Sequence, residues 1–306
     1  MPRLLTIVLL LGLAMQANGQ LTYKELWIDY DSAVTYKNLK IIPVRKKVSG
    51  GPGLPMLSFG RAVQEGTIQL SERGTASTEN VPWLRINNNS GTPVFIASGE
   101  VVMGGRQDRM VTRDTVIESM PGDQYIPVVC VEENRWSKKE KKFHYASYAN
   151  PKLRKVLDHS KNQLLVWKEI YAQLDSSDIN SRTFAYTARR LDKKYMTLSG
   201  EYLRYFSERL FDADSNIVGI VCITGNKIIG SDMFSSPQLF LDQLSTLVTG
   251  YIEEAISYGS LPVVTDPNVK KYLDQFLIDQ PSQETYLRKN GKIFRRAGEV
   301  FHITSY

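Results

Sequence analysis

The sequence predicts an α+β fold, in which an antiparallel, β-rich N-terminal half is followed by helices and β-hairpins packed on it. Up to about residue 136, short apolar runs alternate with turns rich in Gly, Asn and Pro. From about residue 150, apolar residues recur at helical spacing. Strands and helices do not alternate one by one, which argues against a parallel sheet of the Rossmann type. We therefore predict one domain over residues 20–306, with a β-rich lobe at 37–136 and a mixed helical and hairpin lobe at 150–306.

The first residues are typical of a secretory signal peptide. Arg3 gives a short positive region, residues 4–15 are mostly apolar, and residues 17–19 (Ala-Asn-Gly) have the small-residue spacing of a cleavage site. The apolar run is too short to span a bilayer comfortably. We therefore expect cleavage near Gly19 or Gln20, an exported chain that is periplasmic or secreted, and no membrane span after removal of the signal.

The charge balance of the chain is mildly basic. The 306 residues contain 38 Lys and Arg against 32 Asp and Glu, which gives a formal net charge of +6. This charge is weak and scattered, so no nucleic-acid partner is expected. The densest basic run, residues 135–142 (RWSKKEKK), is predicted to be a solvated loop rather than an anion-binding patch.

Several catalytic and metal-binding patterns are absent from the sequence. The histidines His144, His159 and His302 have no zinc-ligand spacing and no Cys-x-x-Cys occurs, so no metal site is expected. No nucleophile elbow, phosphate-binding P-loop or dinucleotide-binding glycine motif is present. Cys130 and Cys222 lie inside apolar, strand-like runs, which leaves a disulfide and two buried free thiols both open.

The first half is predicted to consist of short strands joined by turns. The Gly- and Pro-rich residues 48–57 indicate a loop, and the polar residues 73–80 indicate a turn. A short helix over residues 58–64 is ended by Gly66. Because neighbouring short strands pair in antiparallel fashion by default, an antiparallel sheet is expected. The predicted strands are residues 39–44, 67–70, 83–87, 94–97 and 126–131.

Helices dominate the predicted second half. Residues 144–150 are predicted to form a loop, after which Asn150 caps a helix with Pro151 at its first position. Apolar residues keep helical spacing from Leu153 to Leu174. The further predicted helices are residues 199–211, 237–258 (capped by Ser236) and 268–278. A solvated helical face is expected for the basic residues Arg182, Arg189, Arg190, Lys193 and Lys194.

Two hairpins are predicted among these helices. Gly225-Asn226 and Asn290-Gly291 are expected at the two turns, because these residues tolerate the positive φ angles of a two-residue hairpin loop. The predicted strands of the second half are residues 217–224, 227–229, 284–289, 292–295 and 299–304.

The residues with the richest chemistry lie within residues 93–136. Glu100 follows the predicted strand 94–97, and Glu132 follows the predicted strand 126–131. If these two strands are neighbours, the two carboxylates could approach each other. The candidate ligand-binding residues are Glu100, Gln107, Asp108, Arg109, Glu132, Arg135 and Trp136.

These residue types suit an anionic or sugar-containing ligand. Two arginines can hold a phosphate or carboxylate by bidentate hydrogen bonds. Two carboxylates can bind ribose hydroxyls or serve as acid and base, and a tryptophan can stack on a ring. The alternative is that the same Glu and Arg side chains only pair with one another inside the fold, with Gly104 and Gly105 forming a bulge or turn.

The two motifs in this stretch resemble those of a known family. Residues 99–111 (GEVVMGGRQDRMV) and 126–136 (IPVVCVEENRW) are similar to the paired motifs of the ADP-ribosylglycohydrolase- and rhodanese-phosphatase-superfamily-associated protein domain. The likeness extends from residue 39 to residue 258, more weakly in the second half. The matching residues are Gly99, Glu100, Gly104, Gln107, Asp108, Arg109, Ile126, Pro127, Val128, Cys130, Val131, Glu132, Arg135 and Trp136. Asp108 stands where that family more often has Asn.

The resemblance implies a family of uncharacterised function, without an assigned cofactor. Its association with proteins that process ADP-ribose and NAD implies a nucleotide-, ADP-ribose- or sugar-phosphate-like ligand. The predicted export signal departs from this association, because free NAD is scarce outside the cytoplasm.

Three hypotheses remain open at the level of the sequence. The first is a ligand-binding module without chemistry of its own. The second is a hydrolase of glycosidic or nucleotide-sugar linkages, with Glu100 and Glu132 as acid and base. The third is a non-catalytic envelope scaffold, in which the motif residues are buried, paired with one another and not adjoined by a pocket.

Overall fold

The computed structural model describes residues 19–47, 55–74, 81–139, 141–210 and 216–306. The predicted signal peptide lies outside the described residues except for Gly19. Most of the predicted loop at 48–57 and of the predicted turn at 73–80 also lies outside them. None of the helices among the described residues combines the length and the apolar character needed to cross a bilayer.

The described part of the first half is rich in strands and contains one short helix, α1 (Phe59–Gln64). Ser58 caps α1 by accepting a hydrogen bond from the backbone N–H of Arg61. The strands are β1 (Leu26–Ile28), β2 (Val34–Tyr36), β3 (Leu39–Lys46), β4 (Leu57–Ser58), β5 (Ile68–Glu72), β6 (Trp83–Asn88), β7 (Val94–Ile96), β8 (Glu100–Met103), β9 (Arg109–Val111), β10 (Thr115–Ile117), β11 (Gln124–Cys130) and β12 (His144–Tyr148).

The second half combines helices with a smaller set of strands. The helices are α2 (Pro151–Ser160), α3 (Gln163–Ser176), α4 (Lys193–Leu210), α5 (Pro237–Tyr258), α6 (Asp266–Leu277) and α7 (Gln280–Asn290), together with the 3₁₀ helix Tyr186–Leu191. The strands are β13 (Ile217–Thr224), β14 (Lys227–Phe234), β15 (Gly291–Arg296) and β16 (Glu299–Ser305). The predicted α+β class with a β-rich first half is confirmed.

The strands form mainly antiparallel sheets. One sheet has the order β1–β3–β13–β14–β16–β15, with β2 also paired to β3. Another has the order β12–β8–β9–β11–β6–β5, and a small one has the order β10–β7–β4, in which the β4–β7 pair is parallel. The first of these sheets joins strands from both halves of the chain.

The core forms on both faces of the sheet that contains β13. Every residue of β13 is buried, as its continuous apolar run predicts. Ile220 and Cys222 belong to the same apolar cluster as the buried face of α5. Val221 and Ile223 point to the opposite face and join the cluster that includes α6. This strand is therefore covered by helices on both sides. Cys130 and Cys222 are buried free thiols.

The structure corrects the predictions for the helix that begins at Pro151 and for the segment before it. The loop predicted over residues 144–150 is the strand β12, which pairs with β8. A register shift between Tyr145 and Ser147 breaks the two-residue alternation that identifies a strand. The predicted helix that begins at Pro151 is interrupted, because Lys161 has a left-handed backbone and Asn162 caps a new helix.

The predicted closing hairpin at Asn290-Gly291 is also wrong. Residues up to Asn290 form the helix α7, which is capped by Asp279. The side chain of Asn290 donates to the carbonyl oxygen of Tyr286, which keeps Asn290 in the helix. The hairpin turn lies instead at Ala297 (φ 51°) and Gly298 (φ 85°), between β15 and β16.

Candidate functional site

The two motifs occupy adjacent strands of one sheet. β8 and β9 carry the first motif, and β11 leads into the second, in the order β8–β9–β11. The chain turns at Gly99 (φ 92°), so the predicted strand 94–97 does not continue to Glu100. β7 lies in a different sheet from β11, and β9 separates β8 from β11. The predicted approach of Glu100 and Glu132 required the strands 94–97 and 126–131 to be neighbours. These strands are not neighbours, so that condition is not met.

Glu100 is enclosed by protein. Its side chain accepts hydrogen bonds from the backbone N–H of Ala97 (2.6 Å) and from the hydroxyl of Tyr145 (2.8 Å). Glu100 has no solvent exposure, and burial raises its pKa to about 8. This carboxyl group is placed to hold β8 against β12 rather than to meet a ligand.

A buried cluster of Glu72, Gln107 and Arg109, the motif core, joins the first motif to β5 and to the segment after β11. Arg109 Nη2 lies 3.2 Å from Glu72 Oε2, and neither side chain is exposed. Gln107 Nε2 donates to the carbonyl oxygen of Glu132 (2.8 Å). Glu72 also accepts from the backbone N–H of Arg106 (2.7 Å). The motif core therefore has the mutual pairing that a structural role requires.

A second polar group lies beside the motif core and consists of Asp108, Glu132 and Arg135. Arg135 Nε donates to Glu132 Oε2 (2.7 Å), and Arg135 Nη2 donates to Asp108 Oδ1 (2.8 Å). Asp108 Oδ2 accepts from the hydroxyl of Thr187 (2.6 Å). Burial raises the pKa of Asp108. The remaining N–H groups of Arg135 donate to the carbonyl oxygens of Gly104 and Gly105 and to Ser137 Oγ.

A cleft of about 690 Å³, the basic cleft, opens beside this second group. Its wall includes Asp108, Glu132 and Arg135, and its rim includes the exposed Lys141, Lys142 and Arg182. The described residues that complete the lining are Met103, Gly104, His144, Asn180, Ser181, Thr183, Ala185, Thr187, Ala188 and Leu191. The run 135–142, predicted to be solvated, thus supplies two cations to the mouth of a cleft.

Backbone hydrogen bonds fix both sides of the basic cleft. Gly105 N–H donates to the carbonyl oxygen of Lys141 (3.0 Å), which places the two lysines beside the Gly104-Gly105 turn. On the other side, Asn134 N–H donates to the carbonyl oxygen of Thr183 (3.1 Å). The loop that carries Arg182 is therefore attached to the segment that follows β11.

The predicted site residues are thus divided among four environments. Asp108, Glu132 and Arg135 line the basic cleft. Gln107 and Arg109 lie in the motif core, and Glu100 is buried against Tyr145. Trp136 is 43% exposed and lies outside the set of described residues that line the cleft.

A buried charge network around His302, which the sequence patterns did not predict, joins several elements. Arg154 forms two hydrogen bonds to Asp232, with distances of 3.0 and 2.6 Å. His302 Nδ1 lies 2.6 Å from Asp114 Oδ2, and Nε2 lies 3.3 Å from Asp232 Oδ1. We call Asp114, Arg154, Asp232 and His302 the His302 network. The sequence did contain one indication of this network: Asp232 and His302 are ionisable residues within the otherwise mostly apolar ends of the strands β14 and β16.

Electrostatics within the His302 network shift its titrating groups. Burial alone would lower the pKa of His302, but Asp114 and Asp232 raise that pKa to about 9. Burial likewise opposes ionisation of Asp232, but Arg154 and His302 hold the pKa of this carboxyl well below its usual range. The network therefore consists of charged groups that compensate one another.

The solvated face predicted for residues 182–194 is wrong for Arg189. This side chain is 1% exposed and lies 3.0 Å from Glu253 of α5. The interpretation from sequence treated this segment as an isolated helix, whereas its inner face packs against the rest of the molecule. Arg182 and Arg190, by contrast, are exposed residues.

The fold and the site define an α+β protein in which a buried motif core supports an open basic cleft. A family model described as ARG and Rhodanese-Phosphatase-superfamily-associated Protein domain matches residues 27–299, and the chain belongs to that family. This confirms the family indicated by the paired motifs and extends the match towards both ends of the chain. No curated protein and no solved structure matches the chain.

Proposed function

We propose that this protein binds a small phosphate-bearing ligand, of the nucleotide, ADP-ribose or sugar-phosphate type, in the basic cleft. The observation that carries the proposal is the cleft itself, about 690 Å³ in volume, beside the two family motifs. Small-molecule sites typically have volumes of about 300–1,000 Å³ and combine a few polar groups with apolar walls. Leu191, Ala185 and Ala188 supply apolar surface here.

The charge distribution favours an anion at the mouth of the cleft. Asp108 and Glu132 on the wall are both paired with Arg135. Lys141, Lys142 and Arg182 at the rim form no ion pair with any described carboxylate. Cations that line a cleft without carboxylate partners raise the local concentration of anionic ligands. The anionic group is therefore assigned to the rim.

This assignment changes the roles first expected of the arginines. Arg135 already donates to Glu132, Asp108 and backbone carbonyl groups. Its role in the proposal is to orient the wall carboxylates, which accept hydrogen bonds from ligand hydroxyls. Arg109 is buried against Glu72 and supports the wall without contact to the ligand.

The other two hypotheses gain less support. A hydrolase that uses Glu100 requires this group to reach the substrate, but Glu100 is fully buried. A scaffold role fits the mutual pairing of Glu72 and Arg109, but the cleft beside the motif is not part of that hypothesis. We retain the structural role for the motif core and assign ligand binding to the cleft.

The test is calorimetric titration of the full mature chain with inorganic pyrophosphate, ribose 5-phosphate and ADP-ribose. Arg182→Gln removes a rim cation and is expected to weaken binding about 10- to 150-fold, since a hydrogen bond to a charged group contributes about 1.5–3 kcal/mol. Lys271→Gln, at an exposed position of α6, is the matched control and is expected to leave affinity unchanged. Absence of heat with all three probes, under conditions that detect a Kd of ~100 μM, would overturn the proposal.

We also propose that the protein is exported, on the basis of the signal-like residues 1–19. N-terminal sequencing of the protein recovered from its native host tests this proposal directly. A mature chain that begins near Gln20 is the expected result. Recovery of a chain that still begins at Met1 would contradict it.

A further inference from the structure

A second pocket adjoins the basic cleft. This pocket, the ring pocket, has a volume of about 570 Å³ and is lined on one side by Tyr171 and Phe184. Asn180 and Ser181 line both the ring pocket and the basic cleft. The two pockets therefore share a rim of two polar residues.

Phe184 has an unusual backbone conformation for a bulky residue. Its φ angle is 49°, in the left-handed region that aromatic residues seldom adopt. Three hydrogen bonds hold the loop around it: Ala185 N–H to Ser181 Oγ, Asn134 N–H to the Thr183 carbonyl, and Tyr186 N–H to the Val131 carbonyl. Such conformations persist only where the surrounding structure imposes them, and they concentrate at ligand sites.

This conformation directs successive side chains to opposite sides of the loop. Thr183 and Ala185 line the basic cleft, whereas Phe184 lines the ring pocket. The ring of Phe184 is 39% exposed and contacts the ring of Tyr171 edge-on, with 4.7 Å between centroids. An exposed aromatic ring thus lies across a polar rim from the cations of the basic cleft.

We propose that the ligand is of the nucleoside diphosphate class and occupies both spaces, with its base stacked on Phe184. The phosphates lie in the basic cleft near Arg182, Lys141 and Lys142. The ribose crosses the rim, where Asn180 and Ser181 offer hydrogen-bonding groups to its hydroxyls. Base stacking on an aromatic side chain tolerates any base, so the site selects for a ring and not for its identity.

This inference rests on the proposed function, because it assigns the phosphates to the basic cleft. Calorimetry with ADP and with inorganic pyrophosphate distinguishes a failure of this inference from a failure of the proposed function. ADP is expected to bind about 5- to 150-fold more tightly than pyrophosphate, the range that stacking of one base contributes. Equal affinity of the two probes would overturn the ring pocket assignment and leave the proposed function standing. Failure of both probes to bind would overturn the nucleoside diphosphate assignment, and the proposed function is overturned with it only if ribose 5-phosphate and ADP-ribose also give no heat.

Variants of Phe184 locate the ring contact. Phe184→Ala is expected to weaken ADP binding about 5- to 150-fold, the contribution of stacking one base, without change in pyrophosphate binding. Phe184→Tyr retains an aromatic ring at the same position and is expected to keep the preference for ADP. An undiminished preference for ADP in Phe184→Ala, in a variant with unchanged thermal unfolding, would contradict the assignment of the base to Phe184.

Discussion

At the scale of single residues, buried ion pairs are the positions where loss of one partner is expected to be most destabilising. Arg109 and Glu72 have unexposed side chains and lie 3.2 Å apart. Removal of one partner of a buried ion pair costs about 3–5 kcal/mol, because the other charge stays buried without its counter-charge. We expect Arg109→Met to lower the free energy of unfolding by this amount in urea denaturation.

The control for this variant is an ion pair at the surface. Lys37 and Glu201 are paired at 2.8 Å, but both side chains are more than 40% exposed. Because solvent screens such a pair, Lys37→Met is expected to leave the urea midpoint nearly unchanged. An equal effect of the two substitutions would show that the motif core is not a stabilising ion pair.

His302 is expected to make stability depend on pH above neutrality. Its pKa is about 9 in the folded chain against an ordinary value of 6.5, so the folded state holds the proton more tightly. The stabilising contribution is complete below pH 6.5 and is lost as pH rises through 9. One pKa unit corresponds to about 1.4 kcal/mol, so the loss reaches up to roughly 3 kcal/mol.

Glu100 also makes the free energy of unfolding fall as pH rises, but over a lower range of pH. Burial raises its pKa from 4.5 to about 8, so its contribution is lost as pH rises through that interval. Denaturant unfolding at a series of pH values therefore measures both groups. His302→Gln should remove the His302 part of the loss between pH 6.5 and 9 and leave the loss between pH 4.5 and 6.5, where only Glu100 of the two groups binds its proton differently in the folded and unfolded states. An unchanged loss between pH 6.5 and 9 in the variant would assign that part to another group.

At the scale of elements, the turn between β8 and β9 requires glycine at position 104. Gly104 has a φ angle of 121°, and a Cβ atom there would lie 2.3 Å from the carbonyl oxygen of Lys142. Gly104→Ala therefore displaces the backbone that carries Lys142 to the cleft. We expect a loss of about 2–4 kcal/mol in unfolding free energy, which combines left-handed strain with steric overlap.

Gly122→Ala is the matched control for this substitution. Gly122 has a φ angle of 105°, but no atom lies within 4 Å of its added Cβ. Gly122→Ala should therefore lower the free energy of unfolding by only about 1–2 kcal/mol, the cost of the left-handed conformation. If the two variants unfold at the same urea concentration, steric overlap at the turn plays no part in its stability.

The elements that the sequence predicted well are those whose signals are local. The helix α5 begins at Pro237 after the Ser236 cap, as predicted, because the capping side chain lies within one turn. The strands β13 and β14 around Gly225-Asn226 were also predicted. The strand β12 was missed, because its bulge disturbs the alternation on which strand prediction depends. The hairpin at Asn290 was wrong, because the helix α7, which Asp279 caps, includes Asn290 and has its C-cap at Gly291.

At the scale of the whole molecule, pairing between distant segments organises the fold. β3 and β13 are hydrogen-bonded neighbours, although more than half of the chain separates them. His302 in β16 contacts Asp114, which precedes β10. These contacts join the strand-rich first half to the second half, in agreement with a family match that spans residues 27–299. The basic cleft also depends on distant segments, since Lys141, Arg182 and Glu132 come from different parts of the chain.

The sequence by itself determined the α+β class, most of the helices and strands, and the family, because these depend on spacing within short segments. It also identified Asp108, Glu132 and Arg135, which line the basic cleft. The tertiary structure alone decided that Glu100 and Arg109 are buried and that Lys141, Lys142 and Arg182 share a rim. The physical reason is that desolvation and ion pairing depend on neighbours in space, and a partner such as Glu72 lies 37 residues from Arg109. Local patterns give the type of each residue, whereas packing decides whether its charge meets solvent or another charge.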